Sequence, residues 1–242
     1  MKIEIWSDFI CPFCYIGKRK MEMALDQFPK KDNVTVVYKS YELNPDSKKD
    51  PGKNIHELLA EKNDMSIEKV IQMNENVKQQ AHGIGLTFHF DTMQYTNTLD
   101  AHRLAQYASR KGKGSALTEA LLHAYFTDSK NLSDYITLAE IGSSVGLQKD
   151  NVLELLESRK YQKHVRDDEE QAKEMGVEVV PFFVFNETYG VSGVQSVEVF
   201  LEMLRRVQEE EEKEPDIQSV MSHRSETSFC SGEGCEVNKD KE

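Results

Sequence analysis

The chain has 242 residues, 38% hydrophobic and 30% charged, enough apolar material to bury a substantial core in one domain carrying a large insertion. Its 42 acidic side chains outweigh 30 basic ones for a formal charge of -12, which argues against a protein built to neutralise nucleic-acid phosphates or to lie on anionic lipid. Four cysteines are too few for a disulfide-stapled scaffold, so cysteine function has to come from placement.

Lys2 to Trp6 alternates polar and apolar residues and predicts a short strand, not the apolar run of a signal peptide. From Cys14 to Phe28 the apolar positions Tyr15, Ile16, Met21, Ala24, Leu25 and Phe28 recur at helical spacing, with Pro12 suited to the first turn. Val34 to Leu43 is rich in β-branched and aromatic residues and reads as a second strand, parallel to the first across a right-handed crossover. Asn44-Pro45 and the polar run to Asn54 break the pattern. From there to about Met175 the period is almost wholly helical. Predicted helices are capped at Ser66 and at Ser133-Asp134, and others span Leu99 to Ala108, Ala116 to Phe126, Val152 to Leu156, and Tyr161 to Met175. Between them, Gly83 to Asn97 is too apolar for a solvated linker and too Gly-broken for a helix. Val179 to Asn186 and Tyr189 to Val194 read as two strands, and Ser196 caps a last helix with Val197, Phe200, Leu201, Leu204 and Val207 on one face. The run Glu209 to Glu212 continues that helix into solvent. From Glu209 to Glu242 there are 11 acidic and 4 basic residues, a composition expected of a mobile tail. No stretch approaches the roughly 18 apolar residues of a membrane helix, so the expected compartment is the cytoplasm.

The cysteines fall in two pairs, Cys11-Pro12-Phe13-Cys14 near the start and Cys230 to Cys235 near the end. A C-x-x-C that follows a strand and opens a helix has what thiol chemistry needs. The unsatisfied N–H groups and dipole of the helix end favour a thiolate at Cys11, which would attack a disulfide. Cys14, one turn further, would resolve the mixed disulfide. Pro12 rigidifies the turn and Phe13 adds bulk without a hydrogen-bond donor. The same spacing also permits inert buried thiols or half of a zinc site. Val180-Pro181 opens an apolar strand. It is either a trans proline starting that strand or a cis bond exposing the backbone of Val180 to an extended peptide beside Cys11.

The order strand, C-P-F-C-Y-I-G, strand, helical insertion, G-V-E-V-V-P-F-F-V-F, Y-G-V-S-G-V-Q, helix resembles the DsbA-like thioredoxin superfamily, specifically its FrnE-like branch. The likeness covers about residues 1 to 208. It includes N-T-L-D-A-H-R-L at Asn97 to Leu104, similar to that branch's insertion signature, and C-S-G-E-G-C at Cys230 to Cys235, similar to a second pair in some members. The resemblance implies an α/β thioredoxin-like fold with a large inserted all-helical domain: residues 1–43 and 177–208 form the discontinuous thioredoxin-like domain, 44–176 the insertion, and 209–242 an acidic tail. It implies a protein-disulfide reductase or isomerase with Cys11, Cys14 and a cis Pro181 as catalytic residues. Pro12, Phe13 and Val180 would contact substrate, and Cys230 and Cys235 would form a secondary redox pair. Protein or peptide disulfides are the expected partners and small thiols the electron donors, with neither nucleic acid nor membrane involved. No cofactor beyond the redox-active disulfide is expected. The chain lacks the signal peptide of periplasmic DsbA proteins and their histidine between the cysteines, which implies a less oxidising couple. Two further readings are a zinc-binding, redox-regulated chaperone-like protein using all four thiols, and a small-molecule isomerase of the same superfamily. The related glutathione transferase kappa and isomerase branch usually has serine where Cys11 stands. His102 could orient a polar network near the groove but reads more simply as a packing and hydrogen-bonding residue, and Asp8 could shuttle a proton for Cys14 but reads more simply as an acid serving the helix dipole. Trp6, Phe13 and Gly83 to Phe90 are candidates for lining an apolar groove.

Overall fold

A computed structural model describes residues 1–47 and 53–213, together with the backbone of residues 230–231 and 234–235. Four strands, β1 (Lys2–Ser7), β2 (Thr35–Ser40), β3 (Phe182–Phe185) and β4 (Tyr189–Ser192), form one sheet in the order β2-β1-β3-β4. β1 and β2 run parallel through helix α1 (Pro12–Gln27), whereas β3 is antiparallel to both β1 and β4. Six helices follow β2: α2 (Ile55–Asn63), α3 (Ile67–His82), α4 (Leu99–Arg110), α5 (Gly114–Phe126), α6 (Tyr135–Ser144) and α7 (Lys149–Glu157). Then α8 (Gln162–Glu174) leads back to β3, and α9 (Val197–Lys213) follows β4. This is the thioredoxin-like α/β arrangement with helices inserted between β2 and β3.

The period-two pattern of β1 sends its residues to two different cores. Ile3 and Ile5 join Phe183 and Phe185 of β3 in a layer closed by Met21 and Ala24 of α1 and by Phe200 and Leu204 of α9. Trp6 on the opposite face packs with Cys11, Cys14, Val184 and Ala172 of α8. Trp6 is therefore a core residue, and its Nε1–H donates to the Asp168 carbonyl at 2.9 Å. Leu86, Phe88 and Phe90 of the Gly-broken segment belong to a third core, that of the inserted helices.

Three polar side chains, Asp168 and Arg103 buried and Glu119 half-buried, bind the inserted helices together and to the sheet and α1. Asp168 of α8 accepts from the Ser40 N–H at 2.9 Å, from Lys39 Nζ at 2.9 Å and from Gln106 of α4 at 2.6 Å. Glu119 of α5 accepts from Tyr15 at 2.7 Å, from Arg19 at 2.8 Å and from Lys18, all on α1. Burial raises its pKa, but Lys18 and Arg19 together hold the carboxyl below its ordinary value. Arg103, the arginine of N-T-L-D-A-H-R-L, pairs with Asp100 at 2.7 Å and donates to the carbonyls of Leu155, Leu156, Ser158 and Lys160. Asn97 of the same motif donates to the Pro45 carbonyl at 3.2 Å and accepts from the Leu99 N–H at 3.1 Å.

Three strand boundaries differ from expectation. The strand expected over Val179 to Asn186 starts only at Phe182, because Pro181 has no N–H for the ladder; its carbonyl still accepts from Gly193 at 2.8 Å. The strand expected from Tyr189 ends at Ser192, where Gly193 turns the chain at φ +71°. β2 stops at Ser40, and Leu43 beyond it donates its N–H to Asp8. The acidic run Glu209 to Glu212 does continue α9 but is not simply solvated: Glu211 pairs with the Met1 ammonium at 3.1 Å, Glu210 accepts from Tyr189 at 2.8 Å and Glu212 pairs with Lys30. Residues 230–231 and 234–235 pair as two short antiparallel strands, β5 and β6, with Cys230 opposite Cys235 in the backbone register. The rest of the tail expected to be mobile, and residues 48–52 of the polar run, lie outside the described residues.

Removing the Arg103 guanidinium would break its buried ion pair with Asp100 and take its hydrogen bonds from the carbonyls of Leu155, Leu156, Ser158 and Lys160. Arg103→Ala is expected to lower stability by about 3–5 kcal/mol, read as a reduced midpoint in urea denaturation.

Candidate active site

The C-P-F-C run sits where β1 hands the chain to α1. Cys11 is the N-cap residue of α1 with extended backbone (φ -91°, ψ 111°), and Pro12 occupies the first helical turn, where its missing N–H costs nothing. The Cys11 N–H donates to the Asp8 carbonyl at 3.2 Å, and the Cys14 N–H to the Cys11 carbonyl at 3.0 Å, so both cysteines share one tight turn. Cys11 is 5% exposed and Cys14 2%. Burial pushes the Cys14 thiol well above its ordinary pKa, and the neighbouring Cys11 pushes it further. Cys14 is thus held as a protonated thiol at neutral pH in the reduced protein.

The second wall comes from the other end of the sequence. The Val180–Pro181 peptide is cis, and the Val180 carbonyl accepts from Cys11 Sγ at 3.7 Å. Pro181 rests on α1 at Gly17: a Cβ there would lie 2.8 Å from Pro181 Cγ. Among the described residues the Val180 N–H has no hydrogen-bond partner.

A cavity of about 500 Å³ opens beside Cys11. Cys11, Pro12, Phe13 and Val180 line one side; Phe13 is 41% exposed and Val179 is exposed beside it. The far wall belongs to the inserted helices, with Leu59 of α2 and Met73 and Val77 of α3 contributing, and Phe90 and Met93 close its base. The lining is overwhelmingly apolar, and its methionines can repack around differently shaped side chains. Of the expected groove residues, Phe13 and Phe90 line the cavity and Trp6 does not. Helix α2 carries lining residues that the periodicity left undistinguished; the available sign was Asn54 three residues before Glu57, which form a reciprocal capping box.

His102 is the packing and hydrogen-bonding residue expected, whereas Asp8 takes partners that the sequence did not indicate. Asp8 does not serve the dipole of α1, whose first turn has no acidic residue. It is 1% exposed, and its carboxylate accepts from the Leu43 N–H at 2.7 Å and from His102 Nε2 at 3.3 Å. His102, 2% exposed on α4, also packs against the Phe9 ring with centroids 4.7 Å apart. The Cys230 and Cys235 side chains lie outside the described residues.

A mixed four-stranded sheet with a dithiol at the strand-to-helix junction and a proline loop facing it defines a thioredoxin-like protein. The DSBA-like thioredoxin domain matches residues 2–205, and the chain belongs to that family. It is 27% identical over 202 residues to the protein YwbO of Bacillus subtilis (strain 168), spanning 82% of this chain and 92% of that protein. It is similar to a probable DsbA oxidoreductase from Streptomyces coelicolor, at 34% identity and a TM-score of 0.82, covering 99% of this chain and 100% of that one. At the level of fold alone it resembles the cytosolic disulfide reductase DsbM of Pseudomonas aeruginosa, solved with GSH (12% identity, TM-score 0.59, 85% of this chain and 98% of that one). The same holds for a 2-hydroxychromene-2-carboxylate isomerase (14% identity, TM-score 0.64, 93% and 100%).

Two outcomes test this geometry. Gly→Ala inside a helix ordinarily stabilises by about 1 kcal/mol. Gly17→Ala should instead destabilise by about 1–3 kcal/mol in urea unfolding, because the new methyl group meets the Pro181 ring. Iodoacetamide applied to the reduced protein at neutral pH should leave Cys14 unmodified, and labelling should appear only at strongly alkaline pH, read by peptide mass spectrometry.

Proposed function

We propose that the protein is a thiol-disulfide oxidoreductase acting on protein or peptide disulfides, as a reductase or isomerase, within the FrnE-like branch of its family. The observation that carries this reading is the position of Cys11: an N-cap thiol with its Sγ against the Val180 carbonyl, in the wall of an apolar cavity. In the reducing direction, the Cys11 thiolate attacks one sulfur of a substrate disulfide, forming a mixed disulfide and releasing the other sulfur as a thiolate. Cys14 then attacks Cys11 Sγ, closing the Cys11–Cys14 bond and releasing the second substrate sulfur. Two electrons pass to the substrate, and small thiols return them to the enzyme. Pro12, Phe13 and Val180 form the substrate-contacting surface, and the unpaired Val180 N–H beside the Pro181 loop offers strand-like pairing to an extended peptide. An apolar cavity at the nucleophile suits side chains exposed in unfolded or misfolded chains.

The remaining assignments belong to the same reading. The thioredoxin-like unit comprises residues 1–43 and 177–208, the helical insertion 44–176 and the acidic tail 209–242. The redox-active disulfide is the only prosthetic element required. Cys230 and Cys235, opposed in backbone register, act as a secondary pair that exchanges with Cys11 and Cys14. A cytoplasmic location is supported by the reductase of similar fold whose name places it in the cytosol. No described helix is long and apolar enough to cross a membrane.

Insulin-disulfide reduction with a small-thiol donor tests the reading. Cys11→Ser should abolish turnover, and Cys14→Ser should accumulate a covalent enzyme–insulin adduct that reducing agent releases. Full activity in Cys11→Ser would sink the assignment.

A further inference from the structure

Apart from Cys11, the apolar lining of the cavity holds one buried polar side chain. Lys62, Asn63, Asn76 and Glu178 are exposed, and Tyr95 is half-buried with its hydroxyl accepting from Asn44 at 3.1 Å; Asn74 of α3 is buried. Its carboxamide is fixed from behind. Asn74 Nδ2 lies 3.1 Å from Nδ1 of His56 on α2, and His56 Nε2 lies 3.2 Å from Oδ1 of Asp91. A carboxylate only accepts, so His56 Nε2 carries the hydrogen, and Nδ1 of the neutral ring is the acceptor toward which Asn74 turns its N–H. Asn74 Oδ1 is the atom left over. Among the described residues it has no hydrogen-bond partner, and it is not one of the polar atoms closed off from solvent.

Resting on the oxidoreductase reading, we propose that the cavity selects substrates by an aromatic side chain that carries its own donor, a tyrosine or tryptophan beside the reacting cysteine, and that Asn74 Oδ1 accepts from its O–H or N–H. His56 is the positioning residue: by taking the Asn74 N–H it keeps the oxygen, and not the nitrogen, facing the substrate. The aromatic preference follows from the rest of the lining. Phe13, Phe90 and Phe126 supply rings, and Met65, Met73 and Met93 supply thioethers, which make favourable contacts with ring edges. The donor preference follows from burial. A phenylalanine would fill the same space but strip water from Asn74 Oδ1 without replacing its hydrogen bond, whereas a tyrosine or tryptophan satisfies it.

The three residues of this chain of hydrogen bonds come from the pieces of the insertion that shape the cavity. His56 follows the lining residue Ile55 on α2, Asn74 follows Met73 on α3, and Asp91 follows Phe90 at the base. The bonds that orient the acceptor therefore also tie the wall together, and its position relative to Cys11 is set by the same packing. A serine beside the cysteine would offer a donor but leave the apolar surface uncovered, and a leucine would cover that surface but offer no donor.

The test uses full-length protein carrying Cys230→Ser and Cys235→Ser, reduced and mixed with excess homodimeric disulfides of capped tetrapeptides whose cysteine is flanked, on one side or the other, by Tyr, Phe, Leu or Ser. Attack by Cys11 releases one peptide as the free thiol and leaves the other bonded to Cys11 until Cys14 displaces it, so acid quenching and chromatography of free peptide follow the reaction. At the flank that meets the cavity, the concentration giving half the maximal rate should be about three- to tenfold lower for tyrosine than for phenylalanine. Phenylalanine should in turn lie at least about tenfold below serine. Asn74→Leu should erase the difference between tyrosine and phenylalanine. His56→Leu, which frees the carboxamide to turn, should shrink it below about twofold, whereas His56→Asn, whose side-chain oxygen stands near the place of Nδ1, should keep it. Equal constants for tyrosine and phenylalanine at both flanks in the parent, or a full tyrosine preference in Asn74→Leu, overturn the proposal and leave the role of Cys11 intact. The parent comparison decides even if Asn74→Leu does not fold, and equal tyrosine preference in the two His56 variants overturns the role of His56. Failure of the parent to release peptide from any of the disulfides would instead defeat the oxidoreductase reading.

Discussion

The site depends on one close contact, the seating of the Pro181 ring on the backbone of α1 at Gly17. Cys11 and Val180 are 169 residues apart in the chain, and they meet because the loop before β3 can lie directly on the helix that Cys11 caps. No side chain larger than hydrogen fits between them. The Cys11–Val180 contact, the free Val180 N–H and the mouth of the cavity all follow from that approach. Glycine is required here by the space available and not by backbone conformation, since Gly17 lies within a regular helix and has no positive φ.

Around this contact the inserted helices build a binding wall and pack against the far side of the C-P-F-C turn. Helices α2 and α3 form the far side of the cavity, which the sheet and α1 cannot enclose alone. Helix α4 reaches the opposite side of the C-P-F-C turn, where His102 meets Asp8. Both placements require the insertion to be held firmly. The bonds that hold it run through a few ions, two of them buried: Asp168 to the end of β2, the half-buried Glu119 to three residues of α1, and Arg103 to the carbonyls that end α7 and precede α8. Each is satisfied several times over, the condition under which a buried charge can be retained.

This explains the composition of N-T-L-D-A-H-R-L. Asn97 ties the start of α4 to the chain after β2, Asp100 and Arg103 lock α4 to its neighbours, and His102 points at Asp8. A single motif therefore serves both the insertion's anchorage and the floor of the active site.

Much of the fold was legible from local pattern. The alternation of Lys2 to Trp6, the helical spacing after Cys14, the caps at Ser66 and Asp134 and the one-sided apolar face of α9 all report short-range backbone and burial preferences, which sequence order carries directly. The dithiol was legible for the same reason, because a strand followed at once by a C-x-x-C and a helix specifies an N-cap thiol locally. Three things were not. The exact start of β3, the identity of the cavity wall and the partners of Asp8 depend on residues far apart in the chain, such as Asp8 and Leu43 or Cys11 and Val180. Asp8 before a helix looks like a dipole partner until tertiary packing buries it against Leu43 and His102. Sequence alone determined the secondary structure and the pair of thiols, because those follow from neighbours along the chain. Only the tertiary structure decided what surrounds the thiols, because burial, hydrogen-bond partners and cavity walls are set by which distant segments pack together.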